Sequence, residues 1–191
     1  MKNKINLLFL IFLIFYPFKL LALIEVDITR GNLNPLPIAV SPLSIDVESK
    51  KSFEKTLKKK DIGSEISKVI EKNLKTSGLF NPLDKNAFLQ APDIAHLKPR
   101  FEDWNLIKAQ ALITGKVKNV DDKLRVEFRL WDVLAGKEMM ALAFTTVPNN
   151  WRRVGHIITD KVYERLTGEK GYFDTRIIYV CLLYTSPSPR D

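Results

Sequence analysis

The spacing of hydrophobic positions predicts two long amphipathic helices, one near the middle of the chain and one near its end. Apolar residues recur at helical spacing after Asp61, which is a good N-cap residue, and Gly78 follows as a stop signal. The same spacing predicts a closing helix over Trp151–Leu166, ended by Thr167–Gly168. The buried stripes are predicted to be Ile62, Ile66, Val69, Ile70 and Leu74 in the first helix and Trp151, Val154, Ile158, Val162 and Leu166 in the second.

Between these helices lie three consecutive segments with strand character, Ala111–Val120, Leu124–Asp132 and Lys137–Val147. Asp121–Asp122 and Ala135–Gly136 are the predicted turns between them. Strict alternation in the middle strand indicates one buried and one solvated face, as in an antiparallel sheet covered on one side. The predicted core face is Leu124, Val126, Phe128 and Leu130, and the opposite face is Arg125, Glu127, Arg129 and Trp131.

Trp131 is the one large apolar residue on that polar face. A tryptophan in this position is either an exposed anchor for a partner or neighbouring domain, or it is covered by a helix or loop of the same chain. The pattern alone leaves both readings open, so Trp131 is a candidate interface residue.

The remaining segments have weaker signals. Leu36–Ser41 is predicted to be a short strand, Phe101–Gln110 a short helix, and Phe80–Leu83 the start of an irregular connector. Ser44–Lys60 is lysine-rich and is predicted to be a solvated loop with a frayed helical turn. Together, these predicted helices and strands indicate an α+β domain over residues 35–170, a two-layer arrangement with helices packed on one face of a mixed, mostly antiparallel sheet.

The N-terminus has the pattern of a secretory signal peptide over residues 1–22. Two lysines precede the uncharged apolar run Ile5–Phe18, and we expect cleavage after Ala22. The run is shorter than the roughly 20 residues of a transmembrane helix, which makes an uncleaved membrane anchor the less favoured alternative. Both readings predict an exported protein. The net charge of +8 includes Lys2, Lys4 and Lys19 of this segment, so the rest is only mildly basic and does not indicate nucleic-acid binding.

The sequence offers little for catalysis. There is no phosphate-binding glycine-rich loop and no nucleophile elbow, and His96 and His156 are its only histidines. Neither histidine has partners at metal-ligand spacing, so we expect both to be structural. We therefore predict no enzyme activity, no metal, no cofactor and no small-molecule substrate.

Several segments carry a family signal in combination. They are DIGSEISKVIEKNLKTSGLFNPLD (Asp61–Asp84), the strand LITGKV, and ERLTGEKGYFDTRIIYV (Glu164–Val180). In this order and separation they resemble the TolB amino-terminal domain, and the resemblance runs from about Leu23 to Val180. It implies an α/β domain followed by a β-propeller, with residues 171–180 as the first propeller strand.

The resemblance also implies function. Proteins of this family are non-enzymatic periplasmic components of the Tol-Pal envelope system, which supports outer-membrane integrity and constriction in cell division. It implies that a TolA-like inner-membrane protein binds the extended segment 23–34, and that a Pal-like lipoprotein binds the propeller, which is missing here. The expected TolA-binding residues are Leu23, Ile24, Glu25, Val26, Asp27, Ile28, Thr29, Arg30 and Gly31.

Two other function classes stay open. The chain could be a fragment of a periplasmic, propeller-containing hydrolase, or a basic domain that contacts anionic surfaces through Ser49–Lys60. The last eleven residues, CLLYTSPSPRD (Cys181–Asp191), fit none of these readings. One permitted back-translation of them resembles a transposase adapter used in DNA library preparation, and they hold the chain's single cysteine. We interpret residues 181–191 as a non-native tail.

Overall fold

The computed structural model describes residues 34–59 and 61–175. Its strands are β1 (Leu36–Val40), β2 (Ser44–Ile45), β3 (Phe80–Pro82), β4 (Ala111–Val120), β5 (Lys123–Asp132) and β6 (Lys137–Thr146). Its α-helices are α1 (Val47–Leu57), α2 (Ile62–Thr76), α3 (Pro92–Leu97), α4 (Phe101–Leu106) and α5 (Trp151–Thr167), with 3₁₀ turns at Lys85–Ala87 and Pro148–Asn150. The predicted signal peptide 1–22, segment 23–31 and tail 181–191 lie outside the described residues.

One mixed sheet organises these elements, in the order β3-β1-β4-β5-β6, with the short β2 also paired to β4. The pairs β1–β3, β1–β4 and β2–β4 are parallel. The pairs β4–β5 and β5–β6 are antiparallel, and their pairing extends over most of the length of the strands. Asp121 and Asp122 both have positive φ, of 50° and 56°, which is the tight hairpin turn expected there. The predicted α+β class is confirmed.

The main hydrophobic core lies between the sheet and α2 and α5. Every residue of the two predicted helical stripes is buried except Val69, which packs against the core from its edge. A Cβ on Gly155 of α5 would lie 2.8 Å from Val69 Cγ1, so the glycine allows α2 and α5 to approach closely. The Asp61 cap is also confirmed, since its carboxylate accepts the Ser64 N–H at 3.1 Å.

The prediction of a solvated loop over Ser44–Lys60 was wrong. The segment forms β2 and the eleven-residue helix α1. Asp46 caps α1 by accepting the Ser49 N–H at 2.8 Å, and Phe53 is buried at 1% exposure. A single aromatic side chain and a good N-cap therefore dock a helix whose lysines dominate the sequence pattern.

The segment between β3 and β4 is also more regular than predicted. Phe80–Pro82 is the short parallel strand β3 rather than the start of a connector, and α3 follows it. The predicted helix over Phe101–Gln110 ends early, at Leu106, because Lys108 adopts a left-handed φ of 60°. Helices α3 and α4 cover part of the second sheet face, where a smaller apolar cluster forms in addition to the predicted one-sided packing.

Candidate partner-binding site

The predicted partner-binding residues are Leu23, Ile24, Glu25, Val26, Asp27, Ile28, Thr29, Arg30 and Gly31, and they lie outside the described residues, as does Ala22. The structure shows where that segment joins the fold. Asn34 and Pro35 are exposed, and Leu36 then enters the sheet by donating its N–H to the Leu79 carbonyl at 2.9 Å. The first strand of the sheet thus begins five residues after the end of that segment.

That strand, β1, is one of the best-anchored parts of the domain. It lies between β3 and β4, and Ile38, Ala39 and Val40 are all at most 1% exposed. The Pro37 carbonyl also accepts the Gln110 N–H at 3.0 Å, which ties the start of β1 to the start of β4. β1 is therefore an interior strand that is hydrogen-bonded on both sides.

Trp131 is covered by its own chain. It is 9% exposed, its ring meets Phe101 edge-on with centroids 5.8 Å apart, and its indole N–H donates to Thr114 Oγ1 at 2.9 Å. It belongs to the smaller apolar cluster on the second sheet face. Of the two readings left open by the pattern, the structure shows the covering helix, and Trp131 is not an exposed anchor in this fold.

The polar face of β4 and β5 carries charges that are mostly paired. Glu127 accepts from Arg125 Nε at 2.8 Å and lies 4.0 Å from Lys118 Nζ. The hydrogen bond from Arg125 lowers the pKa of Glu127, with the Lys118 charge acting in the same direction. Arg129 in turn lies 3.6 Å from Glu138 of β6. This face is a mixed-charge surface rather than a one-sign patch for an anionic partner.

His96 lies beside that face, on α3 rather than in a connector. Only 7% of it is exposed, and its Nδ1 has no hydrogen-bond partner among the described residues. Burial lowers the pKa of His96, and the Arg129 charge lowers it further. His156 has a different environment, since its Nδ1 lies 2.9 Å from Asn73 Nδ2 and so accepts a hydrogen bond between α5 and α2.

A cleft of about 470 Å³ opens where α1 meets the end of β4. Its floor is a hydrogen-bond network: the Asn119 N–H donates to Ser49 Oγ at 2.8 Å, and Asn119 Nδ2 donates to Ser52 Oγ at 2.6 Å. Ser49 Oγ donates onward to Asp46 at 3.0 Å. These hydrogen bonds hold α1 against the sheet. The polar residues that line the cleft therefore have a structural role, and their presence does not indicate a ligand.

The lysine run of α1 is a solvated helix face. Lys50, Lys51, Lys55 and Lys58 are exposed, opposite the buried Phe53. Within residues 34–59 and 61–175, no group of three or more histidine, cysteine or carboxylate side chains is placed to hold a metal ion. No helix of that same part of the chain is long and apolar enough to cross a membrane.

Only the first half of the predicted propeller strand over 171–180 lies within the described part of the chain. Residues 171–175 are described and contain no strand. They return along α5, to which they are tied by Asp160 and Arg153. Sequence reasoning did not identify these contacts.

Comparison with known proteins agrees with this fold and with the sequence resemblance. The model of the TolB amino-terminal domain family matches residues 24–139. The chain is also 82% identical over 173 residues to the Tol-Pal system protein TolB of Pelagibacter ubique (strain HTCC1062). That match covers 91% of this chain and 39% of the relative, so the chain spans well under half of that protein's length.

Among solved structures, the chain is similar to the crystal structure of TolB from Acinetobacter baumannii. The TM-score is 0.59 at 22% identity, over 78% of this chain and 33% of that one. At this level of identity the match supports the fold alone.

Proposed function

This chain belongs to the TolB amino-terminal domain family, and from that premise we propose that it is the N-terminal part of a Tol-Pal system component exported to the periplasm. The observation that carries the proposal is the 82% identity to a Tol-Pal system protein TolB. In this proposal the chain is an interaction protein without catalytic activity, and it supports envelope integrity and constriction during division through its partners.

The first proposed partner is a TolA-like inner-membrane protein, bound by residues 23–31. Alternation of apolar and polar residues in LIEVDIT suits an extended segment that adds a strand to the edge of a partner's sheet. The exposure of Asn34 and Pro35 supports this, since the segment joins the domain at a solvent-facing point. The interior strand β1 follows the segment a few residues later and provides a rigid base for the interaction.

The second proposed partner is a Pal-like lipoprotein, which binds outside this domain. The Pelagibacter ubique TolB is more than twice as long as the region that this chain matches. We assign Pal binding to a β-propeller in that additional region, beginning at about residues 171–180. This part of the proposal predicts that residues 23–175 alone do not bind the lipoprotein.

A titration tests the role of the N-terminal segment. Residues 1–175 are joined to the remaining region of the Pelagibacter ubique TolB, and binding to the periplasmic part of a TolA protein is measured by calorimetry. Replacing residues 23–31 with a Gly-Ser segment of equal length should abolish binding and leave the unfolding midpoint unchanged. Lys50→Ala combined with Lys51→Ala is the matched control, because these exposed α1 lysines serve the competing model of a basic binding surface.

Unchanged affinity after replacement of residues 23–31 would contradict the proposed role of the segment. Loss of binding in the lysine control, together with strong weakening by salt, would favour the basic-surface function instead.

A further inference from the structure

After α5, the chain reverses at Gly168 and residues 171–174 run back along the helix. We call these four residues the strap. The Asp160 carboxylate of α5 holds the strap through its backbone: Oδ1 accepts the Phe173 N–H at 2.7 Å and Oδ2 accepts the Asp174 N–H at 3.0 Å. Both oxygens of one helix side chain are thus used to fix two successive peptide groups.

Side chains of the strap add further contacts. Phe173 is partly buried against the main core, and its ring meets Tyr163 edge-on at 5.8 Å. Asp174 receives a two-pronged ion pair from Arg153, with Nε and Nη2 each 3.1 Å from a carboxylate oxygen. Because Arg153 is well exposed, this ion pair contributes little to the free energy of folding, and its main effect is to orient the Asp174 side chain.

Gly171 is required at the point where the strap meets the helix. A Cβ built on it would lie 2.4 Å from the Asp160 Cα, a distance that ordinary packing does not allow. Two features together define one position for the strap. The Asp160 carboxylate accepts hydrogen bonds from two strap amides, and Gly171 permits close backbone contact with the helix. A flexible linker needs neither feature.

We propose that the strap is a mount that fixes the direction in which the chain leaves this domain after Thr175. The region that follows is then held in a set orientation to the sheet and helices, rather than on a free tether. The existence of such a region rests on the proposed function, whereas the attachment of the strap does not. The two parts can therefore be tested separately.

Amide hydrogen exchange on the 191-residue chain tests the attachment. Asp160→Ala should increase the exchange rates of the Phe173 and Asp174 amides by roughly tenfold to hundredfold, because each loses a hydrogen bond to a charged acceptor. Glu164→Ala is the matched control: it removes another carboxylate from α5, one that pairs with Lys161 and, within the described residues, makes no hydrogen bond to the strap. Exchange at these two amides should be unchanged in this control.

Gly171→Ala is a second, independent variant that leaves Asp160 in place. It should speed exchange at the same two amides while core amides of β5 keep their protection. Unchanged exchange of Phe173 and Asp174 in both variants would overturn the proposal.

Spin-label distances test the orientation. In residues 1–175 joined to the remaining region of the Pelagibacter ubique TolB, one label is placed at the exposed Lys75 of α2 and another in the added region. The parent should give a narrow distance distribution and Asp160→Ala a broad one. Equally narrow distributions would show that the strap does not set the orientation. No partner takes part in the measurement, so its result is independent of TolA or Pal binding.

Discussion

Substitution of Trp131 by alanine measures how strongly α4 covers the second sheet face. The indole is 9% exposed, contacts Phe101, and donates to Thr114 Oγ1. Removing it opens a cavity in the smaller apolar cluster and leaves the fully buried Thr114 hydroxyl without the indole N–H that donates to it. Both effects destabilise the folded state.

The magnitude follows from the area removed from water. A buried tryptophan covers about 150–250 Å², which corresponds to about 4–6 kcal/mol at roughly 25 cal/mol/Å². Residual compactness of the unfolded chain reduces this by about a tenth to two fifths. We therefore expect a loss of about 3–5 kcal/mol in the free energy of unfolding, in the range typical of buried tryptophan truncation.

Urea unfolding followed by far-UV circular dichroism gives this free energy. Thr114→Val separates the hydrogen bond from the packing and should cost about 1–3 kcal/mol, since it leaves the buried indole N–H unpaired. Thr145→Ala, an exposed substitution on β6, is the control and should change stability by less than about 0.5 kcal/mol. If Trp131→Ala cost less than about 1 kcal/mol but abolished partner binding, the burial argument would fail and Trp131 would be an interface anchor.

Two further predictions concern α1 and His96. Phe53→Ala should destabilise the domain by about 3–5 kcal/mol, because Phe53 is the fully buried apolar anchor of α1. Lys51→Ala, on the exposed face of the same helix, should have no measurable effect, and equal effects of the two in a denaturant titration would mean that α1 is not docked. His96 has a pKa below its ordinary 6.5 in the folded state, so the unfolded state binds the proton more readily and stability should fall as pH drops below about 6.5. His96→Gln should remove that part of the pH dependence of the unfolding midpoint, and a midpoint whose slope between neutral pH and pH 5 is the same in both proteins would contradict it.

The local hydrophobic pattern was sufficient to predict the elements in which many residues repeat the same apolar spacing. Helices α2 and α5 and the hairpins of β4, β5 and β6 each repeat their apolar positions over ten residues or more, and tight turns separate the strands. In such segments the period of the core-facing residues fixes both the type of element and its buried face. This is why the predicted stripes match the main core.

Elements held by one or two contacts could not be predicted in this way. Helix α1 has a single fully buried apolar side chain, Phe53, and the rest of its attachment comes from hydrogen bonds between Ser49, Ser52 and Asn119, about 70 residues away in sequence. Strand β3 is three residues long and contains a proline, a local pattern that predicts a turn. Only its pairing with the parallel strand β1 makes it a strand. Tertiary contacts decide such segments, and a local window does not contain them.

The same limit applies to the candidate functional residues, and α5 shows why. One face of this helix carries the apolar stripe that the sequence predicts, and that stripe fixes the helix against the sheet. Asp160 is outside that stripe, so by pattern it is an ordinary solvated carboxylate, and Asp is a poor residue for a helix interior. Its position is explained only by the two amides of the strap, which follow it by 13 and 14 residues. A polar residue of low helix propensity in a well-packed helix, followed by a glycine and an aromatic residue after the helix ends, is therefore the signal by which such a strap could be sought in a sequence.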